Sequence, residues 1–180
     1  MKKHSYFSND VTEFLFLLSK HEVRYLIVGG EAVIYYGYAR LTGDIDLFYE
    51  RTLENTTNLF AALKEFWKGE IPGIERQSEL RRNGLIVQFG VPPNRIDIIN
   101  VIEAIKFEKA WEWKKIETSS YRKKSFPIFY IGLDDLIRNK KAVGRNKDKD
   151  DLSFLQQARK RKRKRKQKDS TNQPINQSTN

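Results

Sequence analysis

Tyr25-Leu26-Ile27-Val28 is an unbroken apolar run, and it stops abruptly at Gly29-Gly30. A run that short, apolar on every residue and closed by glycine, reads as a strand buried on both faces. The glycines turn it sharply into a short helix over 31–36, which Gly37 ends; residues 38–43 then read as a loop. Asp44-Ile45-Asp46-Leu47-Phe48-Tyr49 begins with polar and apolar residues alternating and reads as a second strand. Strand, glycine turn, helix, loop and strand in that order exclude an all-helical chain and a plain β-sandwich.

The rest of the sequence extends this plan. Apolar residues at Val11, Phe14, Leu15, Leu17 and Leu18 make a helical stripe over 10–20, with Asn9 or Asp10 as N-cap. Leu59, Phe60, Leu63, Phe66 and Trp67 mark a helix over 53–67, stopped by Gly69. Residues 85–89 and 95–101 read as strands, 103–111 as a helix, and 114–130, with Pro127 inside it, as an edge hairpin. Two helices follow over 133–143 and 147–158, broken at Gly144. The expected class is α/β of the α+β kind: a mixed sheet flanked by helices, with a C-terminal helical segment. Eleven Phe and eight Tyr supply a core for one compact domain over 1–158.

The formal net charge of +11 is unevenly spread, because nine of the 34 Lys and Arg lie between 159 and 168. Without that stretch the chain is nearly balanced. Like charges at i,i+4 disfavour a helix there, so 159–180 reads as a basic, then polar, disordered tail. Such a tail either solubilises the protein or attracts RNA or DNA by counterion release. No Cys is present, so disulfides and thiolate metal sites are excluded. The apolar stretch 14–18 is too short for a signal segment or a membrane span, and the expected location is cytoplasmic, with no membrane partner.

Asp44 and Asp46, two apart on a strand, leave the same face of the sheet. A third acid, Asp97, lies in Arg95-Ile96-Asp97-Ile98-Ile99, among residues that anchor a central strand. Converging carboxylates repel one another unless a cation is present, and oxygen ligands suit Mg²⁺ or Mn²⁺. Three acids on two strands fit the two-metal arrangement of in-line phosphoryl or nucleotidyl transfer. Asp44 and Asp46 would be shared ligands, and Asp97 a ligand nearest the nucleophile or its base. The Gly29-Gly30 turn would offer backbone N–H groups to a phosphate.

Val28-Gly29-Gly30, Arg40-Leu41-Thr42-Gly43-Asp44-Ile45-Asp46-Leu47 and Asp97 together resemble the nucleotidyltransferase fold shared with DNA polymerase β. Within it the pattern is most similar to small bacterial toxins of the AbiEii type. A late signature, Leu136-Ile137-Arg138-Asn139-Lys140 with Gly144-Arg145-Asn146-Lys147-Asp148 and Asp151, resembles theirs too. The resemblance implies transfer of a nucleoside monophosphate from an NTP to an acceptor hydroxyl on RNA, such as tRNA, or on protein, in a toxin–antitoxin or phage-defence setting with an antitoxin partner. It implies phosphate contacts from Gly29 and Gly30, metal binding by Asp44, Asp46 and Asp97, and nucleotide contacts from Lys140 and Lys147. Gly30 departs from the serine found in many relatives, which removes one phosphate contact. The alternatives are a small-molecule nucleotidyltransferase of the antibiotic-modifying kind and an inactive nucleic-acid-binding member of the fold.

Plainer readings stand beside these. Arg40 and Thr42 either orient the loop over the metals or merely cap it. Lys140 and Lys147 are ordinary surface lysines without the resemblance, and Asp148 is an acid suited to a helix N-terminus. Trp67, Trp111 and Trp113 read as core or rim packing rather than base-stacking platforms, and His4 and His21 are isolated.

Overall fold

In the computed structural model, which describes residues 7–171, four apolar residues form the central strand β1 (Tyr25–Val28), and every one of them is buried. Around it lie α1 (Asn9–Lys20), α2 (Gly29–Tyr35), β2 (Asp44–Tyr49), α3 (Leu53–Phe66), β3 (Ile86–Phe89) and β4 (Arg95–Ile99). They are followed by α4 (Phe107–Glu112), β5 (Lys115–Tyr121), β6 (Lys124–Tyr130), α5 (Leu133–Val143) and α6 (Asn146–Thr171). The six strands form one mixed sheet in the order β3-β4-β2-β1-β6-β5. β2 and β4 are parallel, as are β1 and β6, and the other neighbours are antiparallel. The expected α+β class, with its mixed sheet and C-terminal helical segment, is the observed one.

Local chemistry sets the boundaries. α1 is capped by Ser8, whose hydroxyl accepts from the Val11 N–H, rather than by Asn9 or Asp10, which lie inside the helix. α3 is capped by Thr52, and it packs on α1 through Phe14 against Phe66. The expected helix from 103 begins only at Phe107, because Ile102 and Ile105 pair across a tight turn first. The hairpin β5–β6 turns at Arg122-Lys123, both at positive φ. β5 is one edge of the sheet, and Pro127 in β6 is tolerated because the pairing of β6 with β1 lies beyond it, at Tyr130 beside Ile27.

The C-terminal segment departs from expectation. α6 does not end near residue 158 but runs to Thr171, carrying the basic stretch as helix; residues 172–180 lie outside the described residues. Repulsion between like charges costs only a few tenths of a kcal/mol per i,i+4 pair. The expensive nucleation step is supplied by the first turns of α6, where Leu155 is buried and Phe154 stacks on Tyr38. Lys and Arg are good helix formers once a helix has begun, and Arg159 also pairs with Asp134 of α5. Among the described residues no helix is long and apolar enough to cross a membrane.

Candidate active site

Sheet register places the three acids together. Asp46 of β2 lies beside Asp97 of β4, and Asp44 beside Arg95. Val28, the last residue of β1, lies beside Asp46 on the other side, so the Gly29-Gly30 turn emerges directly against the cluster. One carboxylate oxygen from each of Asp44, Asp46 and Asp97 falls within 4.8 Å of the others. The glycines are required by space. Gly29 has φ +61°, and a Cβ there would overlap the Asp46 carboxylate. At Gly30 a Cβ would stand 2.7 Å from the Thr42 hydroxyl.

The site's own cation is Arg95. Its guanidinium donates to Asp97 at 2.8 and 3.0 Å and also to Asp44, tying the ends of β2 and β4 together. These bonds hold Arg95 above its ordinary pKa, the Asp97 hydrogen bond contributing most. Gln88 of β3 donates to the second Asp97 oxygen at 2.9 Å. Thr42 donates to Asp44 at 3.0 Å, which fixes that carboxylate from the loop side. Asp46 is pushed up to about 6, first by burial and then by Asp44 and Asp97, with Lys140 and Lys147 opposing. Glu31, buried in the first turn of α2, is pushed up to about 7 by burial and then by Asp44 and Asp46. This arrangement fits a hard divalent ion. The donors are carboxylate oxygens, converging closely enough to share one cation, and they already hold a guanidinium between two of them.

The late signature has a different place. Lys140 is only 3% exposed, and its ammonium lies 2.8 Å from Asp148 and 2.9 Å from Asp151, which are 0% and 1% exposed. Asp148 also accepts from the Arg145 backbone N–H and guanidinium, capping the start of α6. Burial alone would raise Asp148, but the hydrogen bonds from Arg145 and Lys140 outweigh it and hold the acid at about 2. Asp151 in turn accepts two hydrogen bonds from Arg40, at 2.7 and 2.8 Å. Lys140, expected at the nucleotide, is therefore part of a buried ionic lock between α5 and α6. Arg40 extends that lock into the loop before Asp44, passing beside Gly30. Lys147 is exposed, close enough for its charge to act on Asp46.

The structure thus brings together Gly29, Gly30, Thr42, Asp44, Asp46 and Asp97, and keeps Arg40 and Lys140 for the support behind them. Sequence reasoning passed over Arg95, Glu31 and Gln88. Arg95 had a legible signal, since Arg95 and Asp97 are two apart on one strand and so share a face, as Asp44 and Asp46 do. Set against protein-family models and against curated proteins, the chain matches none of them.

Proposed function

We propose that this protein is a metal-dependent nucleotidyltransferase that moves a nucleoside monophosphate from an NTP to an acceptor hydroxyl. The observation that carries the reading is the in-register cluster Asp44, Asp46 and Asp97 against the Gly29-Gly30 turn. Arg95 offsets the repulsion at Asp44 and Asp97, but Asp46 is still raised by both, a cost that a catalytic cation would remove. Asp44, Asp46 and Asp97 would hold Mg²⁺ or Mn²⁺, which when bound lowers the pKa of an attacking hydroxyl and neutralises the leaving pyrophosphate.

The chain's own residues have separable tasks in this reading. Gly29 and Gly30 leave room for the donor phosphates to approach the backbone. Thr42 sets the rotamer of Asp44, and its hydroxyl lies beside the place that a serine at position 30 would fill. Gln88 holds Asp97 in position. Arg95, released from Asp44 and Asp97, is free to pair with a phosphate oxygen. The basic run on α6 favours a nucleic-acid acceptor, RNA such as tRNA, over a small molecule. The toxin setting and its antitoxin partner come from the motif resemblance.

The test is incubation with each labelled NTP, Mg²⁺ or Mn²⁺ and total RNA, beside an Asp44→Ala/Asp46→Ala double variant. Label that enters RNA with the native protein alone supports the reading. Absence of label in RNA, protein and small molecules, with every donor and both metals, refutes it.

A further inference from the structure

Of the three tryptophans, Trp67 and Trp111 pack among aromatic neighbours, whereas Trp113 is 70% exposed. Trp113 follows the last turn of α4, and its segment is pressed against the residue that opens α5. A Cβ on Gly132 would come within 2.8 Å of the Trp113 carbonyl oxygen and 3.4 Å of its Cβ, so glycine at 132 is what lets the two backbone segments approach there. Trp113 is thus left largely open to solvent, as Trp67 and Trp111 are not.

Trp113 borders a cavity of about 470 Å³ between α5, the start of β5 and the middle of α6. Five cationic side chains line it: Lys115, Arg138, Arg159, Lys162 and Arg163. Its two acids are already matched, Asp135 to Arg138 at 3.0 Å and Asp134 to Arg159 at 3.3 Å. With five cationic residues against two acids the lining carries an excess of positive charge, and the exposed residues Lys160, Arg161 and Lys164 extend it along the helix.

An exposed aromatic face beside cations selects among anionic partners. A duplex presents phosphates but keeps its bases stacked inside, leaving the indole nothing to do. A lipid surface would take the indole too, but it needs a whole apolar helix face beside it, and the run from 159 to 168 contains no apolar residue. An acidic peptide would use the cations alone. An unpaired strand uses both, with a base on the indole and successive phosphates along α6.

Position adds a second argument. Lys115 of β5 pairs with Tyr130 of β6, which lies beside Ile27 of β1, one residue before Val28 and its neighbour Asp46. The groove and the acidic cluster thus share one end of the sheet, three strand spacings or about 15 Å apart. We propose that the groove between Trp113 and the basic face of α6 binds single-stranded nucleic acid, and so presents an acceptor strand to the acidic cluster. The second half of this statement rests on the nucleotidyl-transfer reading; the binding itself does not.

The experiment measures fluorescence anisotropy of a labelled RNA of about 12 nucleotides, single-stranded or as a duplex, in EDTA and without NTP. The full chain is compared with Trp113→Ala, Trp113→Phe and Lys162→Glu/Arg163→Glu, each first checked for native circular dichroism. Loss of one stacked base predicts a single-strand affinity about 5- to 150-fold weaker for Trp113→Ala, with duplex affinity unchanged and Trp113→Phe near the native value. The charge-reversal pair weakens single-strand binding and flattens its salt dependence. The proposal is overturned if Trp113→Ala binds the single strand as the native chain does, if it weakens duplex binding equally, or if an acidic peptide displaces the strand as well as unlabelled RNA does. Because EDTA and the absence of NTP keep transfer chemistry out of this assay, strand binding here together with no label incorporated in the Mg²⁺ or Mn²⁺ assay sinks the transfer reading and leaves the groove standing.

Discussion

Replacing Lys140 with alanine separates two roles for this residue, a nucleotide ligand and a buried structural cation. Its ammonium lies within 2.9 Å of both Asp148 and Asp151, and all three side chains are almost fully enclosed. Removing one partner of a buried ion pair costs about 3–5 kcal/mol, because the opposite charge is left without a counterpart. Here the acids are not wholly stranded, since Asp148 keeps Arg145 and Asp151 keeps Arg40. The lower end of that range, about 3 kcal/mol, is therefore expected. The better helix propensity of alanine offsets only a few tenths of a kcal/mol. For a chain of this size each kcal/mol moves the midpoint by about 2–4 °C, so Tm should fall by roughly 6–12 °C. Far-ultraviolet circular dichroism at neutral pH, without nucleotide, reads this directly, and Lys140→Met, which keeps the stem, should fall nearly as far. A loss below about 2 °C in both variants would refute the ionic lock and return Lys140 to the phosphate role that the motif implies.

Asp148 sets an acid limit: its folded pKa of about 2 lies below the ordinary value of 3.8, so its stabilisation is complete above about pH 4 and lost as pH falls toward 2. That difference is worth about 2 kcal/mol, and Asp148→Asn should lose its stability at pH 6 while flattening the acid limb; an unchanged limb would show that other acids govern it. Gly29→Ala should cost at least 1–2 kcal/mol from the left-handed backbone alone and displace Asp46, so Tm and transfer should both drop, whereas a native-like Tm would contradict the geometry at that turn. Arg95→Gln removes the cation between Asp44 and Asp97, so in EDTA the variant should melt below the native protein, and Mn²⁺ should raise its Tm by more. Equal Mn²⁺ shifts in the two proteins would show that Arg95 does not compete for the site.

Legibility in the sequence followed the range of the interaction that decides each feature. β1 and β2 were readable because four apolar residues closed by Gly29-Gly30, and alternation from Asp44, are local patterns. The convergence of Asp97 on Asp44 and Asp46 was readable only as an expectation, since the β2–β4 register that creates it is tertiary. The helical extension of α6 was hidden for the same reason: repulsion among its charges is visible locally, but the docking of Leu155 and Phe154 that nucleates it is not. The Lys140–Asp148–Asp151–Arg40 chain shows the limit most clearly. All four residues lie in recognisable motifs, yet which acid meets which base depends on α5 and α6 lying together. Trp113 reads no differently from Trp67 and Trp111, because sequence spacing says nothing of which indole the fold leaves uncovered.

Arg40 and Asp151 are 111 positions apart, and their contact orders events during synthesis. The loop that carries Thr42 and leads to Asp44 leaves the ribosome long before the helix that anchors it. Until α6 emerges and docks, Arg40 has no carboxylate to grip, and the loop behind the Gly29-Gly30 turn is unsupported. A nascent chain thus carries its acids without the brace that fixes their approach, and the site matures only when nearly the whole domain is out. Contacts of such long range are also the slow ones to close, so a helix made late acts as the latch on a loop made early.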